Sequence, residues 1–453
     1  MSAVTGAVST VLWGLLVVSF VVFTHELGHY LAARACGVRV TELFLGLPCP
    51  LRLARRMRRT GTLVGATPLL LGGYTRICGM GWQPGEGLAE AYALVSARGR
   101  ANADELARAL PDRSAEEVAD LLETLVDWAA LQPAGEDVGE DGEPVPAWST
   151  VARDASGLTA YDAGNRVGEP SGTEAGEPRE LADPQAALDA ERARTYLGCG
   201  WPRRLLMLAA GPLANLVCAF VLVVAAYSAM GVSVVMDAPA VSAVEPGSLA
   251  DEAGLEAGDT VVEVDGVACD TWTGLGDAID AALAAGGDFE LVWEHDGELR
   301  SAVVEPGAGD DALGVSATTD TVRLPVADSL RLAASLAGET VSFATRLLVP
   351  TETVATLDQS TSLVGIAVLS EQAARMGAAQ VVSIVASLSM SLCVMNLLPI
   401  PPLDGGKVVL ELVEAVRRRP VSARVVNALS LAGVAFFLFV FVWVLRADIV
   451  RFF

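Results

Sequence analysis

Four long uncharged apolar segments constrain the fold of this 453-residue chain more than any other feature. They cover residues 7–24, 205–235, 381–400 and 425–445. Because about 20 residues of helix cross the hydrocarbon core of a bilayer, each segment is long enough to form one transmembrane helix. The chain has 52% hydrophobic residues and a mean hydropathy of +0.45. It is therefore predicted to be a polytopic α-helical membrane protein with about four transmembrane helices.

The ends of the first segment and one shorter apolar run refine this prediction. The first segment lacks a basic region before it, and apolar residues continue past it to Ala33. A cleavable signal peptide is therefore not expected. The run "SLVGIAVL" at 362–369 is too short to span and is predicted to lie in the interface or to re-enter the membrane.

The placement of basic residues predicts the orientation of the helices. These residues follow the first segment, precede the second or separate the third from the fourth: Arg34, Arg39, Arg52, Arg55, Arg56, Arg58, Arg59, Arg203, Arg204, Lys407, Arg417, Arg418, Arg419 and Arg424. Since cytoplasmic flanks carry the excess of Lys and Arg, these flanks are predicted to be cytoplasmic in a multi-pass protein of the inner (plasma) membrane. Residues 236–380 and both chain ends are then predicted to lie outside.

Charge and cysteine usage exclude several kinds of partner and site. The net charge is −24, whereas a nucleic-acid-binding surface needs Lys and Arg to neutralise phosphates, so no nucleic-acid partner is predicted. The seven cysteines form no CxxC pair, and only Cys269 lies clearly in the predicted outside region. No disulfide within that region and no thiolate metal site are expected.

The stretch "FTHELGHYLA" at 23–32 places two of the three histidines four residues apart in an apolar helix. His25 and His29 then share one helix face and can offer two imidazole nitrogens to one metal ion. Glu26 lies about 100° round the helix, a position that suits a general base acting on metal-bound water. The alternatives are a chance match and buried histidines that neighbours satisfy. Ionisable groups at this depth are costly, which favours function.

A catalytic zinc site needs a third protein ligand, and the stretch "NLLPIPPLDGGKVV" at 396–409 supplies a candidate. Three prolines end the third apolar segment, and Gly405 and Gly406 allow a sharp turn. Asp404 lies at this break and can point inward. Irregular backbone at membrane depth occurs only where protein or water satisfies its polar groups. The alternative is an ordinary helix end followed by a loop.

These motifs together resemble the site-2 protease family of intramembrane zinc metalloproteases. The resemblance rests on HExxH in the first apolar helix and NxxPxPxLDGG ending a later one. "AAGPLANLVCAF" at 209–220 matches the family's AGPxxN element, and "LVGATPLLLGGYTRI" at 63–77 matches its segment beside the active site. "VPTETVATLDQSTSLVGIAVLSEQAARMG" resembles the stretch before the LDG helix. The resemblance covers residues 8–84 and 195–450.

The resemblance assigns roles to individual residues. It implies that His25, His29 and Asp404 bind Zn²⁺ and that Glu26 activates the water. It also implies that Asn396 hydrogen-bonds the substrate carbonyl or the developing oxyanion. Lys407 departs from the family pattern, which often has histidine there.

The resemblance also implies the substrates and partners of the protein. The substrates would be single-pass membrane proteins, such as anti-sigma factors already trimmed outside or signal-peptide remnants, cut in regulated intramembrane proteolysis. The lipid bilayer is the expected environment. The alternative is a catalytically silent membrane scaffold that binds transmembrane segments without cutting them.

The predicted outside region, 236–320, resembles a PDZ domain of the bacterial regulator-of-sigma-E-protease branch. Ser248 is a candidate N-cap, Gly254 a candidate helix end, and Asp265-Gly266 a hairpin turn. A helix at 273–285 and strands at 289–294 and 299–304 complete a small PDZ-like α+β domain. Such domains bind peptide strands or ends, and a passive spacer is the alternative.

Two β-prone runs, 40–47 and 62–67, surround the arginine cluster of the first 84 residues. We predict that they form a membrane-associated hairpin at the mouth of the site. Pairing an unwound substrate strand against its edge would expose the scissile carbonyl. An interfacial loop anchored by arginines is the alternative.

Residues 85–195 form an acidic insertion with 24 acidic and nine basic residues. Ser114 and Glu117 predict a capping box, and an apolar stripe from Val118 to Ala129 predicts a helix. With "VPAWSTVA" and "GLTAYDAG" as strands, the insertion resembles a small winged-helix-like module, and residues 168–184 read as a flexible linker. We predict an independently folding cytoplasmic module that binds a protein partner or tunes entry to the active site, and a solvated decoration without effect is the alternative.

These assignments divide the chain into five regions: 1–84 with the first transmembrane helix and the hairpin, 85–195 with the insertion, 196–235 with the second transmembrane helix, 236–320 with the PDZ-like domain, and 321–453 with a membrane-associated segment and the last two transmembrane helices.

Overall fold

The computed structural model describes residues 2–70, 72–81, 85–110, 112–138, 143–163, 172–307, 312–349, 351–358, 360–419 and 421–452. Within these ranges, four helices are long and apolar enough to cross a membrane: Gly6–Ala35, Trp201–Met230, Ala378–Asn396 and Arg424–Ile449. Each overlaps one of the four predicted apolar segments. The prediction of four membrane helices is confirmed, and the protein is a membrane protein.

The described elements alternate between long helices and small sheets. The helices are α1 (Ser2–Ala35), α2 (Leu88–Arg98), α3 (Ala103–Ala107), α4 (Ala115–Asp127), α5 (Ala160–Ala163), α6 (Pro184–Arg192), α7 (Trp201–Val224), α8 (Leu249–Ala253), α9 (Trp272–Ala285), α10 (Val326–Leu347), α11 (Thr353–Asp358), α12 (Leu363–Met376), α13 (Ala378–Asn396), α14 (Asp404–Arg417) and α15 (Ala423–Phe452). The strands are β1 (Val40–Leu45), β2 (Leu53–Arg56), β3 (Leu63–Ala66), β4 (Gly73–Ile77), β5 (Arg100–Asn102), β6 (Leu131–Val138), β7 (Pro144–Thr150), β8 (Val232–Val235), β9 (Val241–Val244), β10 (Thr260–Val264), β11 (Val267–Ala268), β12 (Phe289–His295), β13 (Glu298–Val304), β14 (Val315–Ala317) and β15 (Thr319–Val322).

These elements form two compact units. The first comprises residues 1–222, 331–375 and 383–453, and the second comprises residues 223–330 and 376–382. Every residue of the predicted metal site belongs to the first unit. The second unit contains the region that was predicted to be PDZ-like.

The second membrane helix ends earlier than predicted. α7 continues as a π-helical turn from Ala225 to Met230, and Gly231 follows with φ 84°, a left-handed conformation that glycine adopts readily. Residues 232–235, which were predicted to belong to the helix, form β8 and pair antiparallel with β15. Valine suits a strand as well as a membrane helix, so hydropathy alone could not place this boundary.

The region after α1 is a four-stranded sheet with the order β2-β3-β1-β4. The predicted hairpin between residues 40–47 and 62–67 is wrong, because β1 and β3 pair in parallel, with Glu42 opposite Leu63. The antiparallel partner of β3 is β2, whose four side chains are all exposed and give no alternating apolar signal. β4 pairs antiparallel with β1 and forms one end of the sheet against α1.

The insertion packs α2, α3, α4 and α6 around a three-stranded sheet with the order β5-β7-β6. The capping box of Ser114 and Glu117 is confirmed. The stripe residues Val118, Leu121, Leu122 and Leu125 are buried in a core with Tyr92, Trp128 and Trp148, whereas Ala129 lies after the end of α4. Burying these aromatic rings supplies the apolar surface that a module of this size needs. Its winged-helix-like character stays a prediction.

Two predictions for the insertion are wrong. The partner of β7 is β6, whereas "GLTAYDAG" contains the short helix α5. The described part of the predicted linker, 172–184, makes specific contacts: Thr173 pairs with the backbone of Arg153, and Arg179 donates to the Tyr92 hydroxyl at 2.9 Å. The remainder, 168–171, lies outside the described residues.

The second unit builds its main sheet in the order β11-β10-β12-β13, with Leu291, Trp293 and Leu275 of α9 in its core. The local predictions are confirmed. Ser248 accepts a hydrogen bond from the Asp251 amide, and Gly254 ends α8 in the left-handed region. The tight turn at residues 265–266 joins β10 to β11. The PDZ-like assignment of this α+β unit stays a prediction.

Candidate active site

Three side chains from distant parts of the chain converge within the first unit. His25 Nε2 and His29 Nε2 each lie 3.1 Å from Asp404 Oδ2, and the two nitrogens lie 3.2 Å apart. All three residues are buried, with side-chain exposures of 9%, 11% and 10%. Among the described residues, this is the group of His, Cys, Asp and Glu side chains that could hold a metal ion.

The two histidines owe their convergence to helix geometry. They lie four residues apart on α1, so both imidazoles point to the same side. The His29 Nδ1–H donates to the Met207 carbonyl of α7 at 2.8 Å. This bond fixes the tautomer of His29 and leaves Nε2 with a lone pair for a metal.

Asp404 reaches the histidines because the chain breaks after α13. Residues 397–403 turn the backbone, and Asp404 begins α14. A Cβ at Gly405 would collide with the backbone of Leu397, and one at Gly406 would collide with the backbone at Pro401. Only glycine permits the start of α14 to pack this closely on the turn that precedes it.

Small residues bring α7 close to the histidines. A Cβ at Gly28 would collide with the carbonyl of Ala210 and would lie 2.7 Å from the Ala214 methyl. A Cβ at Gly211 would collide with the imidazole ring of His29. Small residues at helix contacts let membrane helices approach closely, so the AGPLAN stretch forms one wall of the site.

The donor set and its spacing fit zinc. Two imidazole nitrogens and one carboxylate oxygen are zinc ligands of the kind found in catalytic sites. Tetrahedral zinc at about 2.0–2.1 Å from such atoms separates them by roughly 3.3 Å. The observed separations of 3.1 and 3.2 Å agree with that value. Lys407 Nζ lies 3.5 Å from Asp404 Oδ1, the oxygen that does not face the histidines.

Glu26 lies beside the edge of the sheet. Thr75 Oγ1 in β4 donates to the Glu26 carbonyl at 3.0 Å and ties the strand to α1. A Cβ at Gly73 would lie 3.2 Å from Glu26 Cγ, so a larger residue would press on the glutamate. Glu26 is half-buried. The structure therefore places the predicted base between the metal-binding face of α1 and the strand β4.

Asn396 does not join the three converging side chains in this structure. It is the last residue of α13, and its Nδ2 donates to the carbonyl of Leu392 one turn earlier at 3.0 Å. The amide serves its own helix in this conformation. Its role toward a substrate stays a prediction.

Sequence reasoning missed two residues of α7 near the site. The bond from His29 to Met207 uses a main-chain carbonyl, which no sequence pattern identifies. Asn215 is fully buried on the same helix, and its amide has no hydrogen-bond partner among the described residues. The AGPLAN match drew attention to this stretch but assigned no role to the asparagine.

Comparisons with known proteins agree with this geometry. The model of a family described as "Peptidase family M50" matches residues 13–440. A candidate zinc metalloprotease of Lactococcus lactis is 28% identical over 456 residues, which cover 98% of this chain and 99% of the relative. The zinc metalloprotease RasP of Bacillus licheniformis is 24% identical over 457 residues, covering 98% of this chain and 100% of RasP.

A third relative is the candidate protease eep of Enterococcus faecalis, 28% identical over 465 residues, with 98% and 99% of the two chains covered. The family match spans nearly the whole sequence, including both halves of the converging site. The chain therefore belongs to peptidase family M50, the site-2 protease family, and is a zinc-dependent metalloendopeptidase.

Proposed function

We propose that this protein cleaves peptide bonds within the transmembrane segments of single-pass membrane proteins. One observation carries the proposal. Asp404 Oδ2 lies 3.1 Å from His25 Nε2, although 379 residues separate them in sequence, and His25 lies on a helix apolar enough to span a membrane. Buried polar groups at membrane depth are expensive and mark function. A soluble substrate would not require a metal site in such a helix.

In the proposed mechanism, each residue has one task. His25, His29 and Asp404 would hold zinc, which would supply a Lewis acid and lower the pKa of water at the site. The Glu26 carboxylate takes the proton from the attacking water and later delivers it to the leaving amine. The Asn396 amide turns from its helix carbonyl to donate to the substrate carbonyl as negative charge develops there.

The sheet supplies a way to present the substrate. A transmembrane helix must unwind before its peptide carbonyl is accessible, because its amides are bonded within the helix. β4 lies at one end of the sheet order and is tied to Glu26 by Thr75. A substrate strand that pairs with the outer edge of β4 would be held beside the proposed base.

The substrate class follows from the membrane setting. Single-pass proteins trimmed outside, such as anti-sigma factors, and signal-peptide remnants present one helix without a bulky outer domain. The α+β unit, if it acts as a PDZ-like domain outside the membrane, would exclude untrimmed proteins. Cleavage of untrimmed substrates by a folded variant that lacks residues 240–318 would support this role, and their continued rejection would contradict it.

The proposed orientation in the plasma membrane places the insertion in the cytoplasm and residues 236–320 outside. Its support is the excess of Lys and Arg in the flanks that would be cytoplasmic. Cysteines engineered into exposed positions of 240–320 should react with an impermeant thiol reagent in intact cells, and those in 100–190 should not. The reverse pattern would overturn the orientation. In the proposed orientation, the insertion faces cytoplasmic protein partners.

The central experiment replaces the proposed base. Glu26→Gln should retain stoichiometric zinc and lower the cleavage rate of a single-span substrate by about 10²–10⁴-fold, because general acid–base catalysis contributes that much. Glu90→Gln, the same change at an exposed position, should cleave normally. Near-normal cleavage by Glu26→Gln would disprove the assignment. The silent-scaffold alternative requires that neither variant differ from an inactive wild type, and family membership already favours the enzyme.

A further inference from the structure

Asn215 is the buried polar residue of α7 that the proposed mechanism does not use. Its relative exposure is 0%, and neither Oδ1 nor Nδ2 has a hydrogen-bond partner among the described residues. Burying an amide without partners is unfavourable, and α7 belongs to a helix long and apolar enough to span a membrane, whose hydrocarbon core offers no water to compensate. A buried asparagine at this position is therefore expected to serve an atom nearby.

Contacts on either side of Asn215 give its depth relative to α1. Met207 and Gly211, two turns and one turn earlier on α7, contact His29. Cys218, almost one turn later, lies near the Thr24 hydroxyl. α7 therefore runs antiparallel to α1 here, and Asn215 falls between the levels of His29 and Thr24. That interval contains His25.

His25 carries the matching unsatisfied atom. Its Nε2 faces Asp404 and His29, whereas its Nδ1 is buried without a partner among the described residues. A metal-binding histidine almost always donates its second N–H to an oxygen, which fixes its tautomer and orientation. His29 meets this requirement through the Met207 carbonyl. His25 has no corresponding bond in this conformation.

We propose that Asn215 is a positioning residue whose Oδ1 accepts a hydrogen bond from the Nδ1–H of His25 in the zinc-loaded protein. The bond would hold Nε2 of His25 toward the metal, as Met207 does for His29. Both histidines would then be oriented by α7. The inference rests on the zinc ligands named in the proposed function.

A competing partner for Asn215 is the hydroxyl of Ser389 on α13, which is buried, has no hydrogen-bond partner in the described part of the chain and lies near Cys218. A serine hydroxyl in a helix can rotate to bond the carbonyl one turn earlier in its own helix. Ser389 can therefore be satisfied without Asn215. The imidazole ring of His25, once its Nε2 is fixed by a metal, could not rotate to bring its Nδ1–H to another acceptor.

The test measures zinc affinity of the full-length protein in detergent by competition with a chelator. Asn215→Leu keeps the size and removes the acceptor, so zinc should bind about 10–100-fold more weakly. Asn215→Asp keeps an acceptor at Oδ1, so zinc should bind at least as tightly as to wild type. Ser389→Ala should leave the affinity unchanged. The visible spectrum of the Co²⁺-loaded protein should change with Asn215→Leu and not with Ser389→Ala.

Three results would overturn the inference. Wild-type zinc affinity in folded Asn215→Leu would show that the amide does not support His25, and a lower kcat alone would point to substrate contact instead. Weaker zinc binding by Asn215→Asp would contradict the acceptor role even if Asn215→Leu does not fold. His25→Ala serves as the reference. If that variant keeps wild-type zinc affinity, the ligand set of the proposed function fails, independently of Asn215.

Discussion

Two buried polar clusters lie at opposite ends of the short segment from His25 to Arg39, and they are built differently. In the Arg39 cluster, which comprises Arg39, Asp162 and Glu191, the fully buried guanidinium donates to Asp162 at 2.7 and 2.8 Å and to Glu191 at 2.6 Å. In the metal cluster, which comprises His25, His29 and Asp404, three ligand atoms lie within 3.2 Å of one another, and His25 Nδ1 has no hydrogen-bond partner among the residues that the structure describes.

The difference separates a structural site from a site built for a ligand. The Arg39 cluster pairs its charges internally, and Arg39 NH1 also donates to the Trp128 carbonyl at 3.1 Å. Such pairing offsets the cost of burying charge. The metal cluster brings two nitrogens and an oxygen together in an arrangement that a bound metal cation would stabilise.

The Arg39 cluster also connects the insertion to the segment that follows α1. Asp162 and Glu191 belong to the insertion, whereas Arg39 belongs to the segment that joins α1 to β1. Arg34 adds a bond to the Tyr161 carbonyl at 2.8 Å. The insertion is predicted to fold independently, but Arg39 from outside it shares the pairing of its buried carboxylates with Arg153 and Arg194 of the insertion. We infer that it is fastened to the base of the helix that carries both histidines.

The largest expected effect comes from removing a member of the metal cluster. Asp404→Ala should weaken zinc binding by more than about 100-fold, since even changes outside the ligand shell cost 10–100-fold, and cleavage should be lost. Thermal unfolding without zinc should change little. Asp280→Ala, at an exposed position on α9, is the matched control. Zinc measured by atomic absorption at wild-type stoichiometry in Asp404→Ala would refute the ligand assignment.

The corresponding change in the Arg39 cluster should act on stability. Arg39→Met removes the cation that Asp162 and Glu191 share and leaves Arg194 and Arg153 as their remaining partners. The free energy of unfolding should fall by up to about 3–5 kcal/mol, the cost of breaking a buried ion pair. Zinc affinity of the protein that remains folded should be unchanged. Arg55→Met, at an exposed position of β2, should unfold like wild type. An unchanged unfolding midpoint for Arg39→Met would show that the cluster does not fasten the insertion.

Acid should weaken the Arg39 cluster. Burial raises the pKa values of Asp162 and Glu191, but hydrogen bonds and the positive charge of Arg39 outweigh it and hold both below their usual values. A carboxylate with a depressed pKa contributes stability that is present above its unfolded pKa and lost as pH falls through its folded pKa. The thermal unfolding midpoint should therefore decrease once the pH is lowered below about 4. This decrease of the midpoint should be smaller in Asp162→Asn. An equal decrease would contradict the claim that the lowered pKa of Asp162 contributes to the acid sensitivity.

Features encoded locally could be predicted from the sequence. Apolar length identified the membrane helices, four-residue spacing identified His25 and His29, and side-chain chemistry identified the caps at Ser114 and Ser248. Asp404 could be found because prolines and glycines mark a break that demands an explanation. In each case the signal lies within a few residues.

Features that depend on distant partners could not be predicted. Arg39 was counted as a flanking charge, yet it pairs with carboxylates 123 and 152 residues away. The parallel pairing of β1 with β3 depends on β2, which carries no apolar pattern. The support of His29 by Met207 uses a backbone atom that every residue has. Such contacts become visible only in three dimensions.

The smallest expected effect concerns Lys407, the charge that approaches the metal cluster from outside. Its Nζ lies 3.5 Å from Asp404 Oδ1, but its side chain is 46% exposed, so water screens the interaction. Lys407→Met should change zinc affinity by less than about fivefold, because exposed pairs contribute at most about 1 kcal/mol. Lys407→Arg, which keeps the charge, should match wild type, and the difference between the two variants should vanish in 1 M salt. If Lys407→Met weakened zinc binding by more than about tenfold independently of salt, the lysine would contribute directly to the metal cluster and would not act as a solvent-screened charge beside it.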